Sequence, residues 1–103
     1  MTHTTNLIAS AIENLHIEKL NSMQLDAIDS IEKNQNTVLL APTGSGKTIA
    51  FLLPILKMMD ANKDQIQALV LAPSRELSIQ IEQVFKSMKT GFRSLCCYGG
   101  HAV

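Results

Sequence analysis

Lys47 and Thr48 close the octet Ala41-Pro42-Thr43-Gly44-Ser45-Gly46-Lys47-Thr48, and residues of these types at this spacing can hold a phosphate chain. A lysine ammonium reaches the β- and γ-phosphates of a nucleotide as a point charge, and a neighbouring hydroxyl can ligate Mg²⁺. Gly44 and Gly46 allow positive φ and bring backbone N–H groups up to a phosphate with no Cβ between. The phosphate-loop template G-x-x-x-x-G-K-[ST] asks for glycine at its first place, where this chain has Ala41. That position mainly starts the turn, and alanine is the smallest departure from glycine. All eight residues are candidates for nucleotide contact, with Lys47 as the catalytic group and Thr48 as the metal ligand. The competing reading is a solvated glycine turn.

A second candidate is Pro73-Ser74-Arg75-Glu76. Ser74 can cap a helix, and Glu76 in its first turn suits the helix dipole whatever the function. Arg75 beside unpaired helix N–H groups makes an anion site. It could equally be solvated or paired with a carboxylate on a neighbouring element. Gly99-Gly100 reads as an ordinary turn after a strand. Gln24 falls on a predicted amphipathic helix, where its plain reading is an exposed polar residue. Adjacent Cys96 and Cys97 fit no metal or redox spacing and read as small apolar residues of a buried strand. His3, His16 and His101 are scattered and suggest no site.

The elements that must position these groups follow from periodicity. Leu7, Ile8, Ala11, Ile12 and Leu15 form a helical face. A second helix is predicted after Asn21 or Ser22, either able to cap it, burying Leu25, Ile28 and Ile31 before the polar breaker at 33–36. Residues 37–40 (TVLL) are a continuous apolar run, as in a strand buried on both faces. The glycine loop follows, then a helix from about Gly46 to Met59, with Pro54 inside it kinking the helix or removing one hydrogen bond. Residues 67–71 (QALVL) repeat the strand pattern, 74–88 the helix, and 93–98 (RSLCCY) a third strand. Strands alternating with helices predict an α/β fold, a parallel sheet with flanking helices. Its carboxyl edge would then carry two helix N-termini, where α/β folds bind ligands.

The chain has 103 residues, 46% hydrophobic and 17% charged, with nine basic and nine acidic side chains. It is one domain at most, and its formal charge of zero means any nucleic acid must be gripped by local contacts rather than by a basic surface. The N-terminus lacks the basic-then-apolar pattern of a secretory signal. The most apolar segment, 49–56, is too short to span a bilayer. A soluble, cytoplasmic protein with no membrane partner is expected.

The octet and the helix after it resemble motif I of DEAD-box RNA helicases, where alanine commonly opens the loop. Pro73 to Gln80 (PSRELSIQ) is similar to that family's motif Ia, written PTRELAxQ, with Ser74 for threonine and Ser78 for alanine. Gly99-Gly100 stands at the family's GG motif. Leu20-Asn21-Ser22-Met23-Gln24 occupies the place of the Q motif, usually PTPIQ, and Leu7 stands near the family's adenine-stacking aromatic. The resemblance implies that Gln24 reads adenine, and that Pro73, Ser74, Arg75, Gly99 and Gly100 hold RNA backbone without reading sequence. It also implies a partial RecA-like domain over 1–103, using ATP and Mg²⁺.

A phosphoryl-transfer site also needs a carboxylate near the metal and a group to stabilise γ-phosphate charge. No apolar strand ends in Asp-Glu, since Asp60 and Asp64 fall at a helix end and in a loop. The DEAD box, the SAT motif and the second RecA-like domain that the resemblance implies would lie beyond residue 103. The expectation is therefore the first part of an ATP-dependent RNA helicase, inactive alone and either poorly stable or self-associated through exposed strand edges. Another superfamily-two ATPase, or a non-catalytic nucleotide- or RNA-binding module, are the alternatives.

Overall fold

A computed structural model describes residues 2–98. Four helices run in order: α1 (Thr2–Asn14), α2 (Ser22–Lys33), α3 (Lys47–Met58) and α4 (Arg75–Ser87). Each follows from a local signal. The apolar stripe of α1 puts Ala11 at the centre of the core, with Leu7, Ile8, Ile12 and Leu15 packed around it. Asn21 caps α2, and a capping box closes that end, with the Gln24 N–H donating to Asn21 Oδ1 at 2.8 Å and the Asn21 N–H to Gln24 Oε1 at 2.9 Å. Such a box satisfies two helix-end donors that otherwise lack partners. Ser74 caps α4 by accepting from the Leu77 N–H at 3.2 Å.

Helix α3 is the centre of the molecule and packs on each of the other three. Ala50, Leu52, Leu53, Pro54 and Leu56 are buried along it, so its apolar residues circle much of the helix rather than one stripe. Leu53 and Leu56 are among the largest fully buried side chains, and burial of each is worth about 1.5–3 kcal/mol. Pro54 lies inside α3, where it has no N–H to donate to the preceding turn. The loop that precedes α3 is thus anchored to the most deeply packed element.

Two cross-element bonds fix the neighbours. Lys57 Nζ meets Glu32 Oε1 at 2.8 Å, joining α3 to α2. This pair is partly exposed and worth less than about 1 kcal/mol. Asn14 Nδ2 donates to the Met88 carbonyl at 2.8 Å, tying the end of α1 to the end of α4. Asn14→Ala is expected to cost about 1 kcal/mol, because the carbonyl at the end of α4 loses its partner in a half-buried place. Denaturant unfolding of wild type and variant checks this, and equal midpoints would show that water replaces the amide at no cost.

The expected parallel sheet is not formed among the described residues, which contain no strand. Segments 37–41, 67–72 and 93–98 have strand-like sequences, yet no backbone–backbone hydrogen bond joins one to another among the described residues. A ladder needs a neighbouring strand at about 4.8 Å, and no such pairing joins these segments among the described residues. Their apolar side chains are left uncovered: Val38 is 85% exposed, Leu40 90% and Leu71 85%. The burial predicted for Cys96 and Cys97 fails for the same reason. Cys96 is half-buried and Cys97 exposed, because no layer covers that segment. Segments 67–72 and 93–98 instead line an apolar cleft against Leu52 and Ile55 of α3 and Phe85 of α4.

Candidate functional site

The glycine octet forms a turn closed by its own side chains. The Ser45 N–H and hydroxyl both donate to the Pro42 carbonyl, at 3.3 and 2.6 Å. Gly44 has φ +80 and Gly46 φ +92, a left-handed backbone that L side chains adopt only with strain. Nothing lies within 4 Å of a Cβ built on Gly44, so its requirement is conformational alone. Gly46 has a second requirement, because a Cβ there would collide with the Gln24 side-chain amide.

Ala41, the departure from the template, is not at positive φ. What it contributes is its carbonyl, which accepts from Lys47 Nζ at 2.8 Å. Alanine supplies that group as glycine would. The lysine therefore folds back over the loop from the first residue of α3, placing its ammonium beside the start of the turn. Thr48 follows in the first turn of α3, half-buried. The N-cap of α3 is Gly46, which has no side-chain cap bond, so this helix begins on backbone N–H groups, a lysine and a hydroxyl. That donor set suits a phosphate chain with its bound cation.

Gln24 is brought to the same loop by α2. It is only 5% exposed, unlike a solvated polar residue on an amphipathic face. Its Oε1 accepts from the Asn21 N–H, and its Nε2 donates to the Gly46 carbonyl at 3.3 Å. An amide has two acceptor lone pairs and two donor hydrogens; these bonds use one of each. Asn21 reaches the loop as well, its Nδ2 donating to the Ser45 carbonyl at 3.1 Å. The sequence suggested Asn21 as a helix cap, but contact with a loop more than twenty residues away left no local trace.

The second candidate lies at the start of α4. Ser74, which stands for threonine, keeps the capping hydroxyl, and the extra hydroxyl of Ser78 donates to the Ser74 carbonyl at 3.1 Å. Arg75 opens α4 with its guanidinium over the Tyr98 ring, 5.0 Å from the centroid. Neither alternative named for Arg75 includes this contact, and no spacing rule pairs residues 23 positions apart. A cation–π contact holds a guanidinium by its charge and face. Pro73 is exposed beside it. Gly99 and Gly100 lie outside the described residues. The apolar cleft between 67–72 and 93–98 contains none of the octet and is separate from this chemistry.

Comparison with known proteins bears on what these two sites serve. The family model described as DEAD/DEAH box helicase matches residues 21–103. The chain is 37% identical over 106 residues to the "Pre-mRNA-processing ATP-dependent RNA helicase PRP5" of Saccharomyces cerevisiae (strain YJM789), covering 94% of this chain and 12% of that protein. It is 41% identical over 95 residues to the "ATP-dependent rRNA helicase RRP3" of Meyerozyma guilliermondii, covering 90% of this chain and 20% of the relative. The corresponding protein of Kluyveromyces lactis is 40% identical over the same length. The chain thus spans a fifth or less of the length of these relatives. No solved structure matches it. Among the described residues, no helix is long and apolar enough to cross a membrane.

Proposed function

The chain belongs to the DEAD/DEAH box helicase family, and from that premise we propose that it forms the ATP-binding part of an ATP-dependent RNA helicase. The observation that carries this reading is the start of α3, a helix opened by a left-handed glycine with Lys47 folded over the preceding loop. The loop's N–H groups and Lys47 would bind the β- and γ-phosphates, and Lys47 would leave the Ala41 carbonyl for a phosphate oxygen. The Thr48 hydroxyl would be one ligand of Mg²⁺, which supplies positive charge to the phosphate oxygens when bound. Gln24 keeps one donor hydrogen and one lone pair beyond its bonds to the chain, the pair of groups an adenine edge requires.

Ser74, Arg75 and the first turn of α4 would hold RNA phosphates, and Pro73, Gly99 and Gly100 would add contacts to the RNA backbone. Phosphate contacts fix position and carry no sequence information, which suits a chain of zero net charge that must bind by local contacts. In the whole protein we infer a parallel RecA-like sheet, with further strands beside segments 37–41 and 67–72. The carboxylate and arginine that complete phosphoryl transfer would come from outside this chain.

The test is ATP hydrolysis by the full-length protein with and without RNA. Stimulation by unrelated RNA sequences is expected, and stimulation by DNA alone would redirect the reading to a different helicase class. Arg75→Ala is expected to weaken RNA binding by a similar factor for unrelated sequences. It should also lower the salt slope by about 0.7, the share of one phosphate on a single strand. A loss confined to one RNA sequence would contradict the phosphate role.

A further inference from the structure

Residues Asn21 and Gln24 do more than cap α2. Each side-chain amide donates to one of two consecutive loop carbonyls: Asn21 Nδ2 to Ser45 O at 3.1 Å, and Gln24 Nε2 to Gly46 O at 3.3 Å. In a trans peptide the C=O of one residue and the N–H of the next point in opposite directions. A Ser45 carbonyl drawn toward α2 therefore turns the Gly46 N–H away from α2. The Gly46 carbonyl also accepts from the Ala50 N–H at 3.2 Å, and its orientation turns out the Lys47 N–H. These two N–H groups stand at the N-terminus of α3, where an anion binds.

We propose that Asn21 is a positioning residue for phosphate binding, holding the Ser45–Gly46 peptide so that its N–H faces the phosphate. This rests on the nucleotide-binding reading above. Asparagine suits the task because its acceptor and donor are separate atoms. Oδ1 takes the Gln24 N–H while Nδ2 reaches the loop. The α2 arm that carries it is held firmly, with Ala27 buried and Glu32 paired to Lys57 of α3. Gln24 already reaches Gly46, so the part particular to Asn21 is the preceding peptide.

The test separates the cap from the clamp. Asn21→Ser keeps a capping oxygen of equal quality but is too short to bridge to Ser45. Asn21→Asp keeps shape and cap but replaces the donor with a charged acceptor, so the uncharged Asn21→Ser is the variant that isolates the clamp. Both are to be made in the full-length protein and measured by equilibrium binding of ADP and by melting without nucleotide. The expected result is an unchanged melting temperature with ADP affinity weakened about five- to tenfold, the effect of one lost positioning bond. Wild-type ADP affinity in both variants overturns the clamp, as does a fall in affinity that only tracks a fall in melting temperature. Lys47→Ala measured alongside distinguishes the two levels: if it too binds ADP as wild type does, the phosphate cradle itself is in error.

Discussion

Full-length protein carrying Lys47→Ala is expected to hydrolyse ATP at least a hundredfold more slowly than wild type, with its fold intact. Removing one preorganised donor aimed at developing transition-state charge costs about 2.7–4 kcal/mol, or 10²–10³ in rate. On the proposed reading Lys47 is such a donor: it is the first residue of α3, with Nζ 2.8 Å from the Ala41 carbonyl. In this structure it bonds a neutral carbonyl; against a phosphoryl group in transfer it would meet negative charge that increases. Its side chain is only half-buried and lies outside the core cluster, so truncation leaves no cavity and the melting temperature should hold. Lys47→Arg is expected to fail nearly as badly, because a planar guanidinium cannot stand in for a compact ammonium in a loop this tight. Steady-state hydrolysis with saturating RNA is the measurement, and wild-type turnover by Lys47→Ala would remove the octet from catalysis.

The helices were legible in the sequence because their signals are local. The i, i+3, i+4 stripe of α1 and the caps at Asn21 and Ser74 lie within a turn of the residues they organise, and the helices begin or end near those marks. The glycine turn before α3 was legible for the same reason, since the residues that form it are close together in sequence. Substituting Ala41 did not hide it, because that position supplies a carbonyl rather than a left-handed turn. Two things were not legible. The bonds from Asn21 and Gln24 to Ser45 and Gly46, and the stacking of Arg75 on Tyr98, join residues more than twenty apart, and a polar side chain's distant partner leaves no periodic trace. The sheet is the other. Residues 37–40 and 67–71 carry strand composition, but composition says that a segment can pair, not with what. A ladder belongs to two segments at once, and segments hydrogen-bonded to no other stay irregular however β-prone their residues are.

Those same segments lead to the expectation for the 103-residue polypeptide alone, which should self-associate and show no multiple-turnover ATP hydrolysis. Val38, Leu40, Ile66, Leu69, Val70, Leu71 and Leu95 all stand exposed in or beside them. Burying half of these, at about 2 kcal/mol for each side chain, offsets the lower part of the roughly 4–15 kcal/mol cost of association. Unpaired backbone groups add to the tendency, because an apolar segment with open N–H and C=O groups is a template for another chain. In the full-length protein, strands paired beside these segments would cover the same surface. Sedimentation at several concentrations should give a mean mass that rises with concentration, and Leu71→Lys with Leu95→Lys should lower it by placing charge where a second chain would pack. Both positions lie away from the octet, so ADP binding should persist in the double variant. Hydrolysis should be absent in every form, because the sequence has no apolar run ending in a carboxylate pair to organise metal and water. A concentration-independent monomer with a cooperative melt would mean that the four helices suffice to hold these segments. Sustained hydrolysis by that monomer would mean that the carboxylate is within these 103 residues after all.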